Sequence, residues 1–314
     1  MSNPRVSVVI CCYNMNRELR RTLLSLSSAM QRGIDTADYE IIVVDNGSSH
    51  PVDEISWRSF GINTRLIRMD DGTQSPAHAM NRGIAAARAP LIGAMIDGAR
   101  MASPGLLAGA ILADRISRRA LVITLAFHLG PKVQMQSVFE GYDQAAEDQL
   151  LKHCDWTKDG YRLFDISVLA GSSRAGWFEP IAESNALFMS RTLWEEHGGF
   201  SEQFSTPSGG FVNFDTLSRA LQLPGIQPVT ILGEATFHQV HGGVATNAPP
   251  EAIVPFAQEY ETIRAEPFRM LDYRSIYVGT IDRAALRTIA DSAHASYKGL
   301  ERRSPWRRGQ GERA

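Results

Sequence analysis

Three short polar clusters follow apolar runs in the first third of the chain: Cys12-Tyr13-Asn14, Asp45-Asn46-Gly47-Ser48 and Asp97-Gly98-Ala99-Arg100. The Asp45 carboxylate can accept a hydrogen bond from a nucleotide base N–H, and Gly47 permits a sharp turn. An aspartate that only caps a turn is the ordinary alternative. Asp97 offers the oxygen ligand that Mg²⁺ or Mn²⁺ takes when it bridges diphosphate oxygens. The clusters are therefore the first place to look for a ligand site.

Four further side chains could complete such a site. The Tyr13 ring can stack on a base, and the Asn14 amide can hydrogen-bond to base or ribose. The Arg82 guanidinium can form paired hydrogen bonds with diphosphate oxygens. His238 follows an apolar run in Phe237-His238-Gln239-Val240-His241 and is a candidate second metal ligand. Loop packing for Tyr13, an exposed helical position for Arg82 and a structural role for His238 remain open.

The elements that would position these residues alternate between two patterns. Apolar runs predict strands at 6–10, 40–45, 64–69, 91–96, 121–125 and 229–233. Helical spacings predict helices over 18–30, 75–88, 104–119, 142–153, 191–197 and 214–222. Short apolar strands that alternate with helices indicate an α/β fold with a parallel sheet covered on both faces. Ligands bind such sheets beyond the carboxyl ends of the strands, where the three clusters stand.

Composition narrows the class of protein. The 314 residues are 44% hydrophobic with a formal net charge of -2, which allows a substantial core and gives no reason to expect nucleic acid as a partner. No apolar run reaches the roughly 18 residues of a spanning helix. The N-terminal residues lack the features of a signal peptide. Cys11, Cys12 and Cys154 form no CxxC pair, so neither a disulfide framework nor a structural zinc site is expected. These features favour the cytoplasm.

Over roughly residues 5–245 the chain resembles the family 2 glycosyltransferases, which are inverting enzymes with a GT-A fold. The segments that carry the resemblance occur in the family's order: 6–14, 40–48, Asn81-Arg82-Gly83, Asp97, 198–202 and 215–219. The resemblance implies a Rossmann-like GT-A domain with a mixed, mostly parallel sheet at 1–245. Its nucleotide-binding half would be 1–125 and its acceptor-side half 126–245. A helical C-terminal extension with a basic tail would follow at 246–314.

The resemblance also implies an activity: transfer of a sugar from a nucleotide-diphosphate sugar to a glycan or lipid-linked acceptor hydroxyl, in glycan or polysaccharide synthesis. It places the donor on Cys12, Tyr13, Asn14, Asp45, Asn81, Arg82, Ile96, Asp97 and Gly98. A divalent cation would be held by Asp97 and His238. The basic tail at 302–308 is expected to be a solvated end, with contact to an acidic membrane surface as the alternative. The C-terminal helices are a candidate surface for a homodimer.

Two positions depart from the family pattern. The second aspartate of the DxD motif is Ala99, which leaves three alternatives: another metal ligand, positive charge from Arg100, or an impaired donor site. The acidic pair that usually supplies the catalytic base falls on Val212 and Asn213. Asp215 is the nearest carboxylate, although it can also serve only the first turn of its helix.

Other carboxylates and other functions stay open. Glu183 and Glu202 are alternatives to Asp215 as the base. Ala99 and Asn213 keep a second function open, a catalytically degenerate module that binds a nucleotide sugar or glycan. A nucleotidyltransferase ranks lowest, because no glycine-rich, lysine-bearing phosphate loop stands near the first strand.

Overall fold

The computed structural model describes residues 3–243 and 253–303. Within these residues ten strands form one sheet in the order β10-β9-β6-β8-β4-β1-β2-β3, with β5 paired to β9 and β7 to β6. The strands are β1 (Val6–Cys12), β2 (Tyr39–Asp45), β3 (Thr64–Arg68), β4 (Leu91–Met95), β5 (Arg100–Ala102), β6 (Ala120–Leu129), β7 (Ser167–Leu169), β8 (Ala186–Ser190), β9 (Gln227–His238) and β10 (Ile276–Val278).

The helices cover both faces of this sheet. They are α1 (Asn16–Ser25), α2 (Ala77–Ala86), α3 (Leu106–Asp114), α4 (Gln134–Ser137), α5 (Gln144–Cys154), α6 (Arg191–His197), α7 (Val212–Leu221), α8 (Ile253–Arg264) and α9 (Leu286–Arg303). No helix in the described residues is both long and apolar enough to cross a membrane.

The sheet is mixed. β1 pairs in parallel with β2 and β4, β2 with β3, and β9 with β6 and β10. β8 runs antiparallel between β4 and β6, while β5 and β7 add antiparallel pairs. The prediction of an α/β fold with a mixed, mostly parallel sheet is confirmed.

The apolar runs of β1 and β2 are buried on both faces of the sheet. Val9 belongs to the hydrophobic core on one face, together with Ile42 of β2. Val8 and Ile10 belong to the core on the other face, because successive side chains of a strand point in opposite directions. Burial on both faces explains why these strands read as continuous apolar runs rather than alternating ones.

A buried carboxylate ties the amino ends of the central strands together. Glu40 of β2 lies directly opposite Ser7 of β1, whose hydroxyl donates to its Oε1 at 2.7 Å. The Arg88 backbone N–H also donates to Oε1 at 2.7 Å, and Arg65 Nε of β3 donates to Oε2 at 3.2 Å. A carboxylate with this many donors resists a shift of any one strand, since a shift would leave a buried charge unpaired.

Four short strands were not predicted: β5, β7, β8 and β10. Ala186-Leu187-Phe188-Met189-Ser190 is an apolar run directly before the helical spacing of 191–197, and periodicity alone does not separate so short a strand from a helix. Ile276–Val278 lies in the C-terminal extension, which is otherwise mainly helical, and pairs in parallel with β9. The C-terminal extension therefore adds a strand to the sheet.

The C-terminal extension also packs on the rest of the chain. Phe256 and Tyr260 of α8 are buried in the same core as Phe204 and Phe211. The predicted boundary between 245 and 246 lies outside the described residues, as does the basic tail from residue 304 onward. The division into domains stays a prediction.

His197, the last residue of α6, is a buried histidine. Its Nε2 lies 3.1 Å from the Thr216 carbonyl oxygen, and its ring packs edge-on against Trp194. Burial, reinforced by the nearby Arg219 charge, lowers the pKa of His197 from 6.5 to about 4. The folded protein therefore keeps this ring neutral at pH values where the unfolded chain would protonate it.

This neutral histidine predicts acid sensitivity. Because the pKa is lower in the folded state, stability is full above pH 6.5 and is lost as pH falls from 6.5 through 4. Between pH 7 and pH 5 we expect wild type to lose about 2 kcal/mol more unfolding free energy than His197→Gln. Urea unfolding at both pH values measures the difference. The exposed His50→Gln is the control, and equal losses in wild type and His197→Gln would contradict the prediction.

Candidate active site

The three polar clusters meet at the carboxyl edge of the sheet. Cys12, the last residue of β1, lies opposite Asp45, the last residue of β2. β4 runs parallel on the other side of β1 and leads directly into Asp97. Burial raises the pKa of the Cys11 thiol, and the negative charges of Asp97 and Asp45 raise it further. The ends of β1 and β2 and the turn that follows β4 therefore lie side by side.

The turns after β1 and β2 hydrogen-bond to each other beside Asp45, and we call this contact between Asn14 and Ser48–Ser49 the clasp. The Asp45 carboxylate is buried, and its Oδ1 accepts from the Ser48 backbone N–H at 2.9 Å. The Asn14 backbone N–H donates to the Ser48 hydroxyl at 2.8 Å, and Asn14 Oδ1 accepts from the Ser49 N–H at 3.0 Å. Asn14 has a φ of 53°, a left-handed conformation that asparagine tolerates. Tyr13 is 53% exposed next to this clasp.

Three residues that were predicted to bind the nucleotide-sugar donor can contact it only through their backbone atoms. Cys12 and Ile96 are buried, and Gly98 has no side chain. A Cβ added to Gly98 would lie 3.1 Å from the Cys12 Cβ, so the turn after β4 passes close to β1. The Gly98 carbonyl accepts from the Thr22 hydroxyl at 2.7 Å, which fixes the turn against α1.

Asn81 hydrogen-bonds to the turn that follows α6. Its Oδ1 accepts from the Phe200 N–H at 2.8 Å, and its Nδ2 donates to the Phe200 carbonyl at 2.9 Å and to Glu202 Oε1 at 2.8 Å. Asn81 and Glu202 line an open pocket of about 440 Å³ whose lining includes neither Asp45 nor Asp97. The neighbouring Arg82 is exposed and makes no hydrogen bond within the described part of the chain. Donor contact by Asn81 and Arg82 stays a prediction.

Gly83, the third residue of the Asn81-Arg82-Gly83 motif, is required for packing. A Cβ at this position would lie 2.2 Å from Val9 Cγ1, so only glycine lets α2 approach β1 this closely. The glycine thus sets the distance between α2 and the strands that end at the site.

The Asp97 carboxylate is held on both oxygens. Oδ1 accepts from the Ala99 N–H at 2.9 Å, and Oδ2 accepts from Arg100 Nε at 2.8 Å. Arg100 Nη1 donates to Asn185 Oδ1 at 3.1 Å. Arg100, the first residue of β5, faces His238 across the antiparallel pairing of β5 with β9. The structure therefore brings the two predicted metal ligands together, beside the Arg100 guanidinium.

His238 is buried and hydrogen-bonded on its inner nitrogen. Nδ1 lies 2.7 Å from Gln134 Oε1, an acceptor, so Nδ1 carries the proton. Nε2 lies 3.8 Å from Asp97 Oδ2 and 3.2 Å from His241 Nε2. Burial, followed by the Arg100 charge, lowers the pKa of His238 well below its usual value. The ring is therefore neutral.

The donor set at Asp97 does not fit a resident divalent cation. Ala99 has no ligand atom, and Arg100 already neutralises Asp97 Oδ2. Across the described residues, no group of three or more His, Cys, Asp or Glu side chains is arranged to hold a metal ion. Two unit charges 4 Å apart repel by about 4 kcal/mol at an effective dielectric constant near 20, and a doubly charged ion beside Arg100 by roughly twice that.

Asp215 lies elsewhere, at the centre of an ion-pair cluster. The carboxylate is buried; Oδ2 accepts from Arg219 Nε and Arg264 Nη2, both at 2.8 Å, and Oδ1 accepts from Arg264 Nε. Arg219 also donates to the carbonyls of His197 and Gly199 at 2.8 and 2.7 Å. The cluster joins α7, α8 and the turn after α6. Asp97, Arg100 and His238 form what we call the Asp97 group. Within the described residues, the hydrogen-bond partners of Asp215 do not include this group.

Glu183 is a carboxylate within electrostatic reach of Asp97 and Arg100. It is partly buried and accepts from the Ser172 hydroxyl at 2.7 Å. Burial raises the pKa of Glu183; the Asp97 charge adds to this rise and Arg100 opposes it. No arginine, lysine or histidine of the described residues forms a salt bridge with Glu183. This unpaired state distinguishes Glu183 from Asp97 and Asp215.

The family's usual base position is close to Glu183. The Asn213 carbonyl accepts from the Ser184 N–H at 3.2 Å, which places α7 beside the residue that follows Glu183. The Asn213 Oδ1 atom is buried without a hydrogen-bond partner in the described part of the chain. Sequence reasoning named Glu183 only as an alternative and missed Asn185, because no local pattern marks a residue before an unpredicted strand.

Part of the chain matches a known protein family. Residues 7–98 match the model of glycosyl transferase family 2. The chain carries a family 2 glycosyltransferase segment. This segment runs from β1 through Gly98 and so contains the Asp45 cluster and Asp97. No curated protein matches the chain.

Several solved structures are similar to the chain. S. aureus TarS residues 1–349 in complex with UDP is 12% identical at a TM-score of 0.51, covering 84% of this chain and 67% of that chain. The same fragment in complex with UDP-GlcNAc is 14% identical at 0.50, covering 82% and 66%. Mannosyltransferase PcManGT from Pyrobaculum calidifontis, in complex with GDP-Man and Mn²⁺, is 15% identical at 0.48, covering 94% and 70%.

At these identities the likeness shows the GT-A fold, and the family 2 segment identifies a glycosyltransferase. The chain spans about two thirds of the length of the two TarS fragments.

The ion-pair cluster predicts a stability role for Asp215. Asp215→Asn removes the charge that both Arg219 and Arg264 face, and we expect it to lower the unfolding free energy by about 2–4 kcal/mol. Urea denaturation measures the loss. Asp155→Asn, which removes the exposed partner of Lys158, is the control and should cost less than about 1 kcal/mol. An Asp215→Asn chain as stable as this control would contradict a structural role.

Proposed function

We propose that the chain is an inverting glycosyltransferase that moves a sugar from a nucleotide-diphosphate sugar to an acceptor hydroxyl in glycan or polysaccharide synthesis. The observation that carries the proposal is the convergence of the Asp45 and Asp97 clusters at one sheet edge, inside a family 2 segment. The TarS fragments, which were solved in complex with UDP and UDP-GlcNAc, support a nucleotide-sugar donor.

The nucleotide would bind at the clasp between the first two turns. Asp45 Oδ2 makes no hydrogen bond within the described residues and is the acceptor for a base N–H. The exposed Tyr13 ring supplies a face on which the base stacks. Asn14 and the backbone of Cys12, Ile96 and Gly98 would line the same edge, with Arg82 reaching toward phosphate from α2.

Glu183 is the base that we propose for the acceptor hydroxyl. It takes the hydroxyl proton while the acceptor oxygen attacks the anomeric carbon. The bond from that carbon to the diphosphate oxygen breaks, and its electron pair leaves with the nucleotide diphosphate. Glu183 suits this role better than Asp215, because Asp215 is neutralised by Arg219 and Arg264.

The acceptor and the cellular setting are part of the same proposal. A glycan or lipid-linked acceptor would enter beside Glu183. Cys11, Cys12 and Cys154 are unpaired thiols, which supports a reducing, cytoplasmic location.

A degenerate module that binds a nucleotide sugar without transferring it is the second function, and Asn213 is the residue that favours it. The two functions differ in turnover, because only the transferase releases nucleotide diphosphate from its donor.

Nucleotide binding through Tyr13 is testable without knowledge of the acceptor. Isothermal titration calorimetry with UDP, GDP, UDP-GlcNAc and GDP-mannose, with and without Mn²⁺, measures affinity directly. We expect Tyr13→Ala to weaken the preferred nucleotide about 5- to 100-fold through lost stacking, with an unchanged melting temperature. Tyr297→Ala, an equally exposed tyrosine in α9, is the matched control. If no nucleotide or nucleotide sugar binds to wild type, the transferase function is excluded.

Removal of the base tests the catalytic step. Glu183→Gln should keep nucleotide affinity while the rate of nucleotide diphosphate release from the preferred donor, with water as acceptor, falls about 10²- to 10⁴-fold. In wild type the rate should fall as pH drops through the Glu183 pKa, which lies above the ordinary glutamate value. Asp97 and Arg100 are the charged groups that face it. A Glu183→Gln chain with wild-type turnover would assign the base to another carboxylate.

A further inference from the structure

Arg100 has a buried guanidinium, and only some of its N–H groups are hydrogen-bonded. Its side chain is 9% exposed. Asp97 Oδ2 holds Nε and Asn185 Oδ1 holds Nη1, so the plane of the group is fixed from two sides. Nη2 makes no hydrogen bond within the described residues. A fixed guanidinium with an unused nitrogen is already organised to donate hydrogen bonds to phosphate oxygens.

The charge around Arg100 is asymmetric. Arg100 is the one arginine or lysine that contacts Asp97 in the described part of the chain. His238 Nε2 is farther from the carboxylate, 3.8 Å from Asp97 Oδ2. A diphosphate arriving at the Asp97 turn would meet the Arg100 guanidinium.

We propose that Arg100 binds the diphosphate of the donor in place of a divalent cation, so that donor binding by this chain does not depend on a metal ion. Asp97 and Asn185 are then positioning residues that orient the guanidinium. As the bond to the anomeric carbon breaks, negative charge grows on the diphosphate oxygens, and the fixed Arg100 donors stabilise it. This inference rests on the proposed function, because it needs a nucleotide diphosphate at the sheet edge.

The position of Ala99 agrees with this assignment. Its methyl group is buried and its N–H donates to Asp97 Oδ1, so the turn uses this residue to orient the aspartate rather than to ligate an ion. The Gln239 N–H donates to the Ala99 carbonyl at 2.9 Å, which attaches the turn to the segment that follows His238. Both sides of the guanidinium are thereby fixed before any ligand arrives.

Calorimetry on metal-free protein tests the inference. Wild type is treated with EDTA and titrated with UDP and with GDP, and the titration is repeated in MnCl₂. We expect the dissociation constant of the preferred nucleotide to agree within about threefold between the two conditions. In EDTA, Arg100→Gln should bind at least tenfold more weakly and Arg100→Lys should fall between them, because lysine keeps the charge but loses the fork. Arg119→Gln, a surface arginine paired with Glu196, is the control.

Asp97→Asn separates the two roles of that carboxylate, and it decides the question even if Arg100→Gln does not fold. A positioning residue predicts that Asp97→Asn still binds nucleotide in EDTA, within tenfold of wild type, and gains nothing from Mn²⁺. Binding that appears only after Mn²⁺ is added, and disappears in Asp97→Asn, would overturn the inference and leave the transferase function standing. If neither nucleotide binds in either condition, both fail together.

Discussion

Glu40 fixes the register on which the site depends. Its buried carboxylate accepts from Ser7 Oγ, the Arg88 N–H and Arg65 Nε, so β1, β2, β3 and the segment before β4 share one anchor at their amino ends. Because these strands are parallel and rise by the same distance per residue, a common start gives a common end. Asp45 lies opposite Cys12 for this reason, and the turn at Asp97 follows the next strand.

The second half of the chain is held in place by a different kind of interaction, the ion pairs around Asp215. Asp215 connects Arg219 of its own helix with Arg264 of α8, and Arg219 reaches the carbonyl of Gly199. Asn81 then joins the turn that follows Gly199 to α2, and α2 packs on β1 through Gly83. Polar contacts and the packing of α2 on β1 thus connect the C-terminal extension to the strands that would carry the proposed donor site, without passing through Asp97.

Sequence reasoning was strong where one local pattern decides the outcome. The apolar runs of β1, β2 and β4 require burial on both faces, so the sheet edge and the polar clusters beyond it were predictable. Sequence reasoning was weak where residues far apart in the chain determine the environment of a side chain. Asp215 owes its environment to Arg264, 49 residues away, and no local pattern announces that pairing. β8 was missed because its five residues run into a helix, and the setting of Asn185 was missed with it.

The two departures from the family pattern have one physical consequence in common. The second aspartate of the DxD motif would add negative charge that a bound cation must balance; Ala99 adds none, and Arg100 alone balances Asp97. An aspartate at the Asn213 position would bring another carboxylate next to Ser184, beside Glu183. With asparagine there, no second carboxylate is added beside Glu183 at this position. Both changes lower the negative charge of the cleft, and a cleft with fewer carboxylates needs less cationic charge to accept a diphosphate.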